Sequence, residues 1–175
     1  VQPEDYTEVV NFIVEHFCRD EPLCGSEPKL DPTESILADL RDCLKYGTSI
    51  LAVQPTEQGE ELVAVNIALP KKPSFSDDNF KGAELEGNTK FGQILTLVGV
   101  ANRSADVFNR YDVDTILYSY ISCVKPSARG KNLGTRLKVE VMALGKRLGY
   151  KLMTADCSSF FSARVCARLG MDLVN

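Results

Sequence analysis

The sequence contains no tryptophan and a single histidine, His16. Its six cysteines form no Cys-x-x-Cys pair, whereas a structural zinc site needs about four converging ligands, so we expect no metal. No apolar stretch approaches the roughly 18 residues that a membrane-spanning helix requires. The acidic N-terminus, residues 1–5, also lacks the apolar centre of a signal peptide. These absences predict a protein that has no membrane partner.

The sequence also has no excess of positively charged residues. Acidic residues outnumber basic ones by 24 to 20, which gives a net charge of -4 and a pI near 5.1. A dedicated nucleic-acid binder is normally basic, so we expect no nucleic-acid partner. The 175 residues with 44% apolar content predict one domain spanning 1–175, large enough to fold without a disulfide framework. We therefore expect a monomer with reduced thiols and a cytoplasmic location.

Hydrophobic periodicity alternates between helical and strand spacing along the chain. It predicts helices over 4–18, 31–47, 89–110, 133–149 and 161–169. It predicts strands over 49–54, 61–69, 115–124, 151–157 and 171–174. We expect Asp31 to be the N-cap of the second helix, and the polar segment 70–88 to be a long surface loop of the kind that forms lids. This order of elements predicts one mixed α/β domain.

The segment most informative about chemistry follows the strand 115–124. There a glycine-containing turn, Arg129–Thr135, leads into a helix, so backbone N–H groups and a helix N-terminus meet at one place. Such a place binds phosphate, although an ordinary strand-to-helix turn with a cap remains an alternative. The turn matches neither the P-loop pattern nor the three-glycine dinucleotide pattern. Residues 129–151 carry a net charge of +6 and the rest of the chain -10, which favours an anionic ligand here.

The stretch from Arg129 to Gly134 resembles the Arg/Gln-x-x-Gly-x-Gly/Ala turn of the GCN5-related N-acetyltransferases, whose amides hold the pyrophosphate of acetyl-CoA. Asn132 stands where the first family glycine is expected, and asparagine tolerates a left-handed backbone. Residues 20–23 and 157–164 are similar to insect arylalkylamine N-acetyltransferases of the dopamine N-acetyltransferase type. The resemblance implies an α/β fold, with a twisted mixed sheet flanked by helices and two splayed central strands that hold acetyl-CoA.

By this resemblance Glu21 is the general base, and Ser158 and Ser162 are the two active-site serines. An alkylamine is protonated at pH 7, and a nearby carboxylate can accept its proton directly or through water. One of the serines would protonate the leaving thiolate or order the relay water. On sequence alone, Glu21 could equally be a surface acid and Ser158 a helix cap. His16 could assist the proton relay or simply be packed in its helix.

Two further sets of residues complete the predicted site. The cofactor-binding set is Ser122, Cys123, Val124, Arg129, Gly130, Lys131, Asn132, Leu133, Gly134 and Thr135. The set that could stack on an aromatic substrate, or pack in the core instead, is Tyr118, Tyr120, Phe160 and Phe161. Cys123 and Cys157 have no histidine base near them in sequence, so we expect them to be strand residues rather than nucleophiles.

The family resemblance also implies the reaction, which is acetyl transfer from acetyl-CoA to an arylalkylamine such as dopamine, octopamine, tyramine, serotonin or tryptamine. Polyamines, histamine or other small amines are the alternative acceptors, and a non-catalytic CoA-binding domain is an alternative of another class. The resembled family continues with a further strand, and the predicted strand 171–174 would expose an unpaired edge. We therefore expect the natural protein to extend beyond Asn175 by at least a strand and a turn.

Overall fold

A mixed four-stranded sheet organises the fold in the computed structural model, which describes residues 1–26 and 30–174. Its strands lie in sequence order: β1 (Ile50–Thr56), β2 (Gly59–Lys71), β3 (Ile116–Val124) and β4 (Met153–Thr154). The β1–β2 and β2–β3 pairs are antiparallel, and the β3–β4 pair is parallel. This arrangement confirms the predicted α/β class with a mixed sheet flanked by helices.

The sheet is covered by helices on both faces. The longer ones are α1 (Tyr6–Phe12), α2 (Glu34–Leu44), α3 (Phe75–Glu86), α4 (Lys90–Ala105), α5 (Leu133–Arg147) and α6 (Phe160–Arg168). Short helical turns occupy Pro3–Asp5, Ile13–Phe17, Cys18–Asp20, Pro22–Gly25, Val107–Arg110 and Pro126–Ala128, and the turn Ile13–Phe17 is π-helical. Within the described ranges, no helix combines the length and the apolar character needed to cross a bilayer.

The core lies on either side of β2, whose residues 62–69 are all buried. Val65 and Ile67 belong to the cluster that packs α1 and α2 against one face of the sheet. On the other face, Leu117 of β3 packs with Val141 of α5. Gly145 allows this helix to lie close, because a Cβ there would come within 2.7 Å of the Leu117 side chain. Burial on both faces fixes the position of β3, which is the strand that leads to the predicted site.

The prediction that residues 70–88 form a long surface loop is wrong, since most of this segment forms helix α3. This helix is largely polar and packs as a hairpin against α4. The close approach of the two helices requires Gly99, where an added Cβ would lie 3.1 Å from the Phe80 ring. Arg103 of α4 also donates a hydrogen bond to Asp77 of α3. Tertiary contact with a neighbouring helix therefore stabilises a segment whose own apolar periodicity is weak.

Other predicted boundaries also differ from the structure. Thr33, rather than Asp31, is the N-cap of α2, since its hydroxyl accepts the backbone N–H of Ile36 at 3.4 Å. The predicted helix 89–110 is interrupted at Asp106, which adopts a left-handed conformation with φ 45°. The predicted strand 151–157 shortens to β4, and the predicted strand 171–174 is irregular. These two segments have little strand pairing. β4 pairs with β3 at two positions, and 171–174 pairs with no described strand.

Candidate active site

The central strands separate as predicted. β4 pairs with β3 at Leu117 and Tyr118, whereas β3 continues along β2 to Val124. A bulge bends β3 just past the last of these pairs. Ile67 of β2 lies opposite Ile121 and the next β2 residue lies opposite Ser119, so Tyr120 is an extra residue without a β2 partner. Bulges are common beside active sites, where they redirect side chains and end strand pairing. Beyond Tyr118 the edge of β3 has no described partner strand, and this open edge forms one wall of the predicted cleft.

The turn after β3 has the backbone that its sequence predicts. Gly130 and Asn132 both have positive φ values, 80° and 59°, so the expectation that Asn132 tolerates a left-handed backbone is confirmed. Asn132 is the N-cap of α5, but its side chain makes no capping hydrogen bond. The first N–H groups of the helix therefore donate no hydrogen bond to the side chain of their N-cap residue. Residues 129–132 are exposed, so an anion has access to this end of the helix.

Glu21 lies in an extended conformation between the short turns Cys18–Asp20 and Pro22–Gly25. Its residue surface is 8% exposed, so the alternative of a surface acid is wrong. Its Oε2 atom accepts a 2.7 Å hydrogen bond from the backbone N–H of Cys24, and Pro22 begins the turn that this bond caps. The carboxylate is thus buried and held in one position by its own loop.

The neighbouring residue, Asp20, connects this loop to the turn after β3. Its Oδ2 accepts a 2.7 Å hydrogen bond from the guanidinium of Arg129, although the two residues are 109 positions apart in the chain. The Nε of Arg129 donates to the carbonyl of Val124 at 3.1 Å, which holds the guanidinium at the end of β3. The hydrogen bond from Arg129 lowers the pKa of the Asp20 carboxyl below its ordinary value. The loop that carries Glu21 and the candidate phosphate-binding turn are therefore in direct contact.

The two predicted serines lie at the start of α6 and differ in their environment. The N-cap is Ser159, so a capping role for Ser158 is wrong: the Ser159 hydroxyl accepts the Ser162 backbone N–H at 3.1 Å. The Ser162 hydroxyl donates back to the Ser159 carbonyl at 2.9 Å. Ser158 precedes the helix and is exposed, so the two predicted serines do not share a helical face. In the described part of the chain, no hydrogen bond joins Glu21 to either of them.

The predicted aromatic residues divide into buried and exposed ones. Tyr118 is buried, contacts the ring of Phe75 and donates its hydroxyl to Asp156 Oδ2 at 2.8 Å. Burial raises the pKa of Tyr118. Tyr120 stacks on Tyr118 but is 36% exposed in the cleft. Phe160 and Phe161 are exposed at the start of α6. The core alternative therefore holds for Tyr118, whereas the other three rings are available to a ligand.

The structure also shows the environments of a histidine, a serine and two cysteines that the sequence singled out. His16 is buried against the ring of Phe12, and its Nδ1 has no hydrogen-bond partner. Cys123 is buried in β3 and Ser122 is exposed on it. Cys157 lies outside β4 and is exposed, so the expectation that it is a strand residue is wrong. Across residues 1–26 and 30–174, no group of three metal-binding side chains converges.

Sequence reasoning missed two members of this region. Ser159 caps α6, and a Ser-x-x-Ser spacing before an apolar run was the signal that could have identified it. Asp156 accepts from both Tyr118 and Asn102, each at 2.8 Å. No local pattern indicates the role of Asp156, because its partners lie on distant segments.

No family model matches the sequence. Among solved structures, the polyamine N-acetyltransferase of Drosophila melanogaster, an enzyme that forms N-acetylagmatine, is 31% identical. The alignment covers 100% of this chain and 82% of that one, with a TM-score of 0.88. The ligand-free form of a serine-to-alanine variant of agmatine N-acetyltransferase is also 31% identical, with coverage of 100% and 81% and a TM-score of 0.90.

A mosquito arylalkylamine N-acetyltransferase-like protein, designated 5b, is 27% identical with a TM-score of 0.89. Here the alignment covers 98% of this chain and 81% of the mosquito one. The match thus runs through the whole sequence rather than through the turn motif alone. Together with the splayed strands and the turn after β3, these similarities establish that the chain belongs to the family of arylalkylamine and polyamine N-acetyltransferases, a branch of the GCN5-related N-acetyltransferases.

Proposed function

We propose that the protein transfers the acetyl group of acetyl-CoA to the primary amine of a small arylalkylamine, by direct attack while both substrates are bound. The observation that carries the proposal is the contact between Asp20 and Arg129. It brings a loop with a buried carboxylate, Glu21, against a turn of the type that binds phosphate. A base for the amine and a site for the cofactor are thereby adjacent.

The turn after β3 would hold the pyrophosphate of the cofactor. Its backbone N–H groups from Arg129 to Thr135 include the uncapped start of α5, and Lys131 adds an exposed positive charge. Beyond Tyr118, β3 has no described partner strand on the β4 side, so its edge at Ser122 and Cys123 is open to the extended pantetheine arm. The Val124 carbonyl, which accepts a hydrogen bond from Arg129, marks the end of that edge. Acetyl-CoA supplies the activated acetyl group.

Glu21 would remove the proton from the amine. An alkylamine has a pKa near that of lysine, about 10, so at pH 7 it arrives as a cation and must lose a proton before it can attack. The buried carboxylate attracts that cation and accepts its proton directly or through one water. The N–H of Cys24 bonds to one carboxylate oxygen, Oε2, and keeps the group oriented while it does so.

The serines at α6 would serve the leaving group. The Ser162 hydroxyl already donates to the Ser159 carbonyl, so it would have to give up this bond to protonate a thiolate. Ser158 is exposed and precedes the helix, so its hydroxyl can turn without that cost. This difference favours Ser158 as the proton donor and Ser162 as the residue that orders the start of α6.

The exposed aromatic side chains support an arylalkylamine as the acceptor. Tyr120 projects from the bulge with the buried Tyr118 ring behind it, and Phe160 and Phe161 stand at the start of α6. Aromatic faces of this kind bind an aryl ring by stacking. Agmatine or a polyamine is the second candidate acceptor, which is favoured by the two solved relatives at 31% identity.

Release of CoA with a panel of amines tests the proposal. The panel contains tyramine, dopamine, serotonin and tryptamine on one side, and agmatine, putrescine and histamine on the other. We expect kcat/KM for the first group to exceed that for agmatine by about tenfold, the discrimination that a stacking contact of about 1.4 kcal/mol provides. The opposite order would replace the arylalkylamine by agmatine or a polyamine.

A pair of variants locates the aromatic contact. Tyr120→Leu should lower kcat/KM for tyramine and leave that for putrescine unchanged, whereas Tyr46→Leu, at an exposed tyrosine outside the cleft, should change neither. If no amine releases CoA from a protein that CoA nevertheless stabilises against heat, the chain is a CoA-binding domain without catalysis. That result would reject the proposal as a whole.

A further inference from the structure

Two cysteines lie together beside the candidate serines. Cys157 immediately precedes Ser158 and is exposed, while Cys166 is buried on the inner side of α6. Their sulfur atoms are 3.6 Å apart, and the Cys157 thiol donates to the Cys166 sulfur. A disulfide has an S–S distance of about 2.05 Å, so the two atoms need to approach by roughly 1.5 Å. Cys157 lies in an irregular segment, which can make this movement more easily than a strand.

We propose that Cys157 and Cys166 are a reversible oxidation site, at which a hydroperoxide converts the two thiols into a disulfide. In the first step the Cys166 thiolate attacks the peroxide oxygen. A sulfur–oxygen bond forms, the oxygen–oxygen bond breaks, and the leaving alkoxide or hydroxide takes up a proton. In the second step the Cys157 sulfur attacks the resulting sulfenic acid, and water leaves with the proton of the Cys157 thiol. The two thiols lose two electrons, and the hydroperoxide is reduced to an alcohol and water.

The environment of Cys166 favours its thiolate, which is the reactive form of cysteine. The hydrogen bond from Cys157 and the positive charge of Lys138 together lower the pKa of Cys166, although burial opposes them, and the same hydrogen bond raises the pKa of Cys157. Lys138 lies on α5 with its side chain buried, and it donates a 2.7 Å hydrogen bond to the hydroxyl of Ser119. Burial lowers the pKa of Lys138, but the nearby thiolate opposes this shift, and the ammonium group faces a neutral hydroxyl rather than a carboxylate on the Ser119 side.

The other cysteines are less suited to this reaction. Burial raises the pKa of Cys43 to about 11 and that of Cys123 to about 12, which disfavours their thiolates. Cys18 and Cys24 are in contact on either side of Glu21, and the hydrogen bond from Cys24 lowers the pKa of Cys18. Both members of that pair are buried, at 9% and 7% exposure, whereas Cys157 is exposed. Cys166 is itself buried, at 8% exposure, so of these two pairs the one at α6 differs in having an exposed member, Cys157, beside which an oxidant can approach.

A disulfide at this position would disturb the start of α6. Cys157 is bonded directly to Ser158, and the Ser162 side chain is close enough to the Cys157 thiol to influence its pKa. Movement of Cys157 toward Cys166 shifts both serines. This functional consequence depends on the proposed acetyl transfer, whereas the formation of the disulfide does not.

Peptide mapping tests the chemistry independently of activity. The whole protein is treated with hydrogen peroxide, its remaining thiols are blocked, and it is digested with trypsin without reduction. Cleavage after Arg164 separates the two cysteines, so the disulfide joins the peptide 152–164 to the peptide 165–168. We expect this linked species, lighter by two hydrogen atoms than the two peptides together, and we expect a reductant to remove it.

Activity with the best amine of the panel is the second measurement. Peroxide should lower the wild-type rate by roughly tenfold, as expected for a displaced catalytic group, and a reductant should restore it. Cys166→Ser and Cys157→Ser should each keep their own untreated rate under the same treatment. Cys43→Ser is the matched control and should lose activity as the wild type does. Cys157→Ser changes an exposed position, so it remains informative if Cys166→Ser fails to fold.

Several outcomes would overturn the inference. The first is a disulfide-linked peptide that joins other cysteines. The second is oxidation of Cys166 to a sulfinate with no disulfide to Cys157. The third is a Cys43→Ser variant that keeps its activity under peroxide as well as the Cys157 and Cys166 variants do. If the linked peptide forms but activity is unchanged, the site is confirmed and its effect on the serines is rejected. If no amine is acetylated at all, the proposed function fails while the mapping result still decides the oxidation site.

Discussion

The two sides of the cleft are built to different degrees of order. On one side Glu21 is buried, and a backbone N–H fixes its carboxylate. On the other side Ser158, Phe160 and Phe161 are exposed, and α6 begins with a serine pair that bonds mainly to itself. The proposed base is thus held in place by its own loop. The proposed proton donor, Ser158, is exposed and makes no described side-chain hydrogen bond, so it is not fixed in the same way.

This contrast indicates that the Glu21 side of the site is already fixed by internal contacts, whereas the α6 side is not. The ion pair of Asp20 and Arg129 connects the ordered side with the candidate phosphate-binding turn. No described hydrogen bond connects the α6 serines with that turn. Changes at Glu21 or at the turn should therefore affect chemistry and cofactor binding strongly. Loss of a supporting hydrogen bond or ion pair near the site should have a smaller effect.

Removal of the base should have the largest effect. Glu21→Gln keeps an oxygen for the Cys24 N–H but cannot take a proton, so kcat should fall by roughly 10²–10³-fold while CoA affinity stays near normal. The loss should be smaller at high pH, where free amine is already present. Rate against pH is the measurement, and Glu15→Gln, at an exposed acid near the same loop, is the control. A variant whose pH profile equals that of the wild type would exclude Glu21 as the base.

Reversal of the charge at Arg129, in the turn after β3, should have the second largest effect. Arg129→Glu places a carboxylate where pyrophosphate is expected, so the dissociation constant for CoA should rise at least about tenfold, and the KM for the amine should change less. Calorimetric titration with CoA measures this. Arg110→Glu makes the same charge change at an exposed position beside Val174, and it should bind CoA as the wild type does. Equal affinities of the Arg129 variant and the wild type would place the phosphate site elsewhere.

The buried ring behind Tyr120 should matter mainly for stability. Tyr118→Phe removes the hydrogen bond to Asp156 and leaves that carboxylate to Asn102, so the free energy of unfolding should fall by about 1 kcal/mol. Urea denaturation measures the change, with Tyr111→Phe at a more exposed ring as the control. If stability stays constant and the KM for the amine rises instead, Tyr118 contacts the substrate.

The smallest effect should come from the ion pair itself. Asp20→Asn should lower the free energy of unfolding by about 0.2–1 kcal/mol at pH 7, since both partners are partly exposed. Arg129 lowers the folded-state pKa of Asp20 below its unfolded value. The contribution is therefore present above the unfolded pKa, about 3.9, and is lost as pH falls through the folded value.

Unfolding of both proteins as a function of pH measures this difference. Asp77→Asn removes a comparable surface pair with Arg103, away from the cleft, and it should cost similar stability without changing kcat. A stability difference for Asp20→Asn that persists undiminished at pH 2 would show that the ion pair is not its source.

Local sequence patterns predicted the parts of the molecule that depend on neighbours in the chain. Asn132 could be assigned a left-handed backbone because the turn needs one and asparagine tolerates it. Apart from α3 and the predicted strand 171–174, the order of helices and strands followed from periodicity in the same way. Helix α3 was missed because contacts with α4, rather than its own pattern, stabilise it.

The sequence proposed the residues of the candidate site but could not predict the contacts among them. The family resemblance proposed Glu21 as the base, and the structure adds that the residue is buried and accepts a hydrogen bond from the backbone N–H of Cys24. The contacts of Asp20 with Arg129 and of Tyr118 with Asp156 join segments that lie far apart in the chain. Spacing along a sequence carries no signal for such pairs, so tertiary structure alone could show them.

The separation of 109 positions between Asp20 and Arg129 also has a consequence for biosynthesis. A chain that emerges from the ribosome N-terminus first presents the Glu21 loop long before the turn that contacts it. Contacts between distant segments form late, because the intervening chain must first lose its freedom. The first helix and its acidic loop must therefore wait, without their basic partner, until the sheet has brought Arg129 to them. Acetyl transfer would then be among the last properties that a newly made molecule acquires.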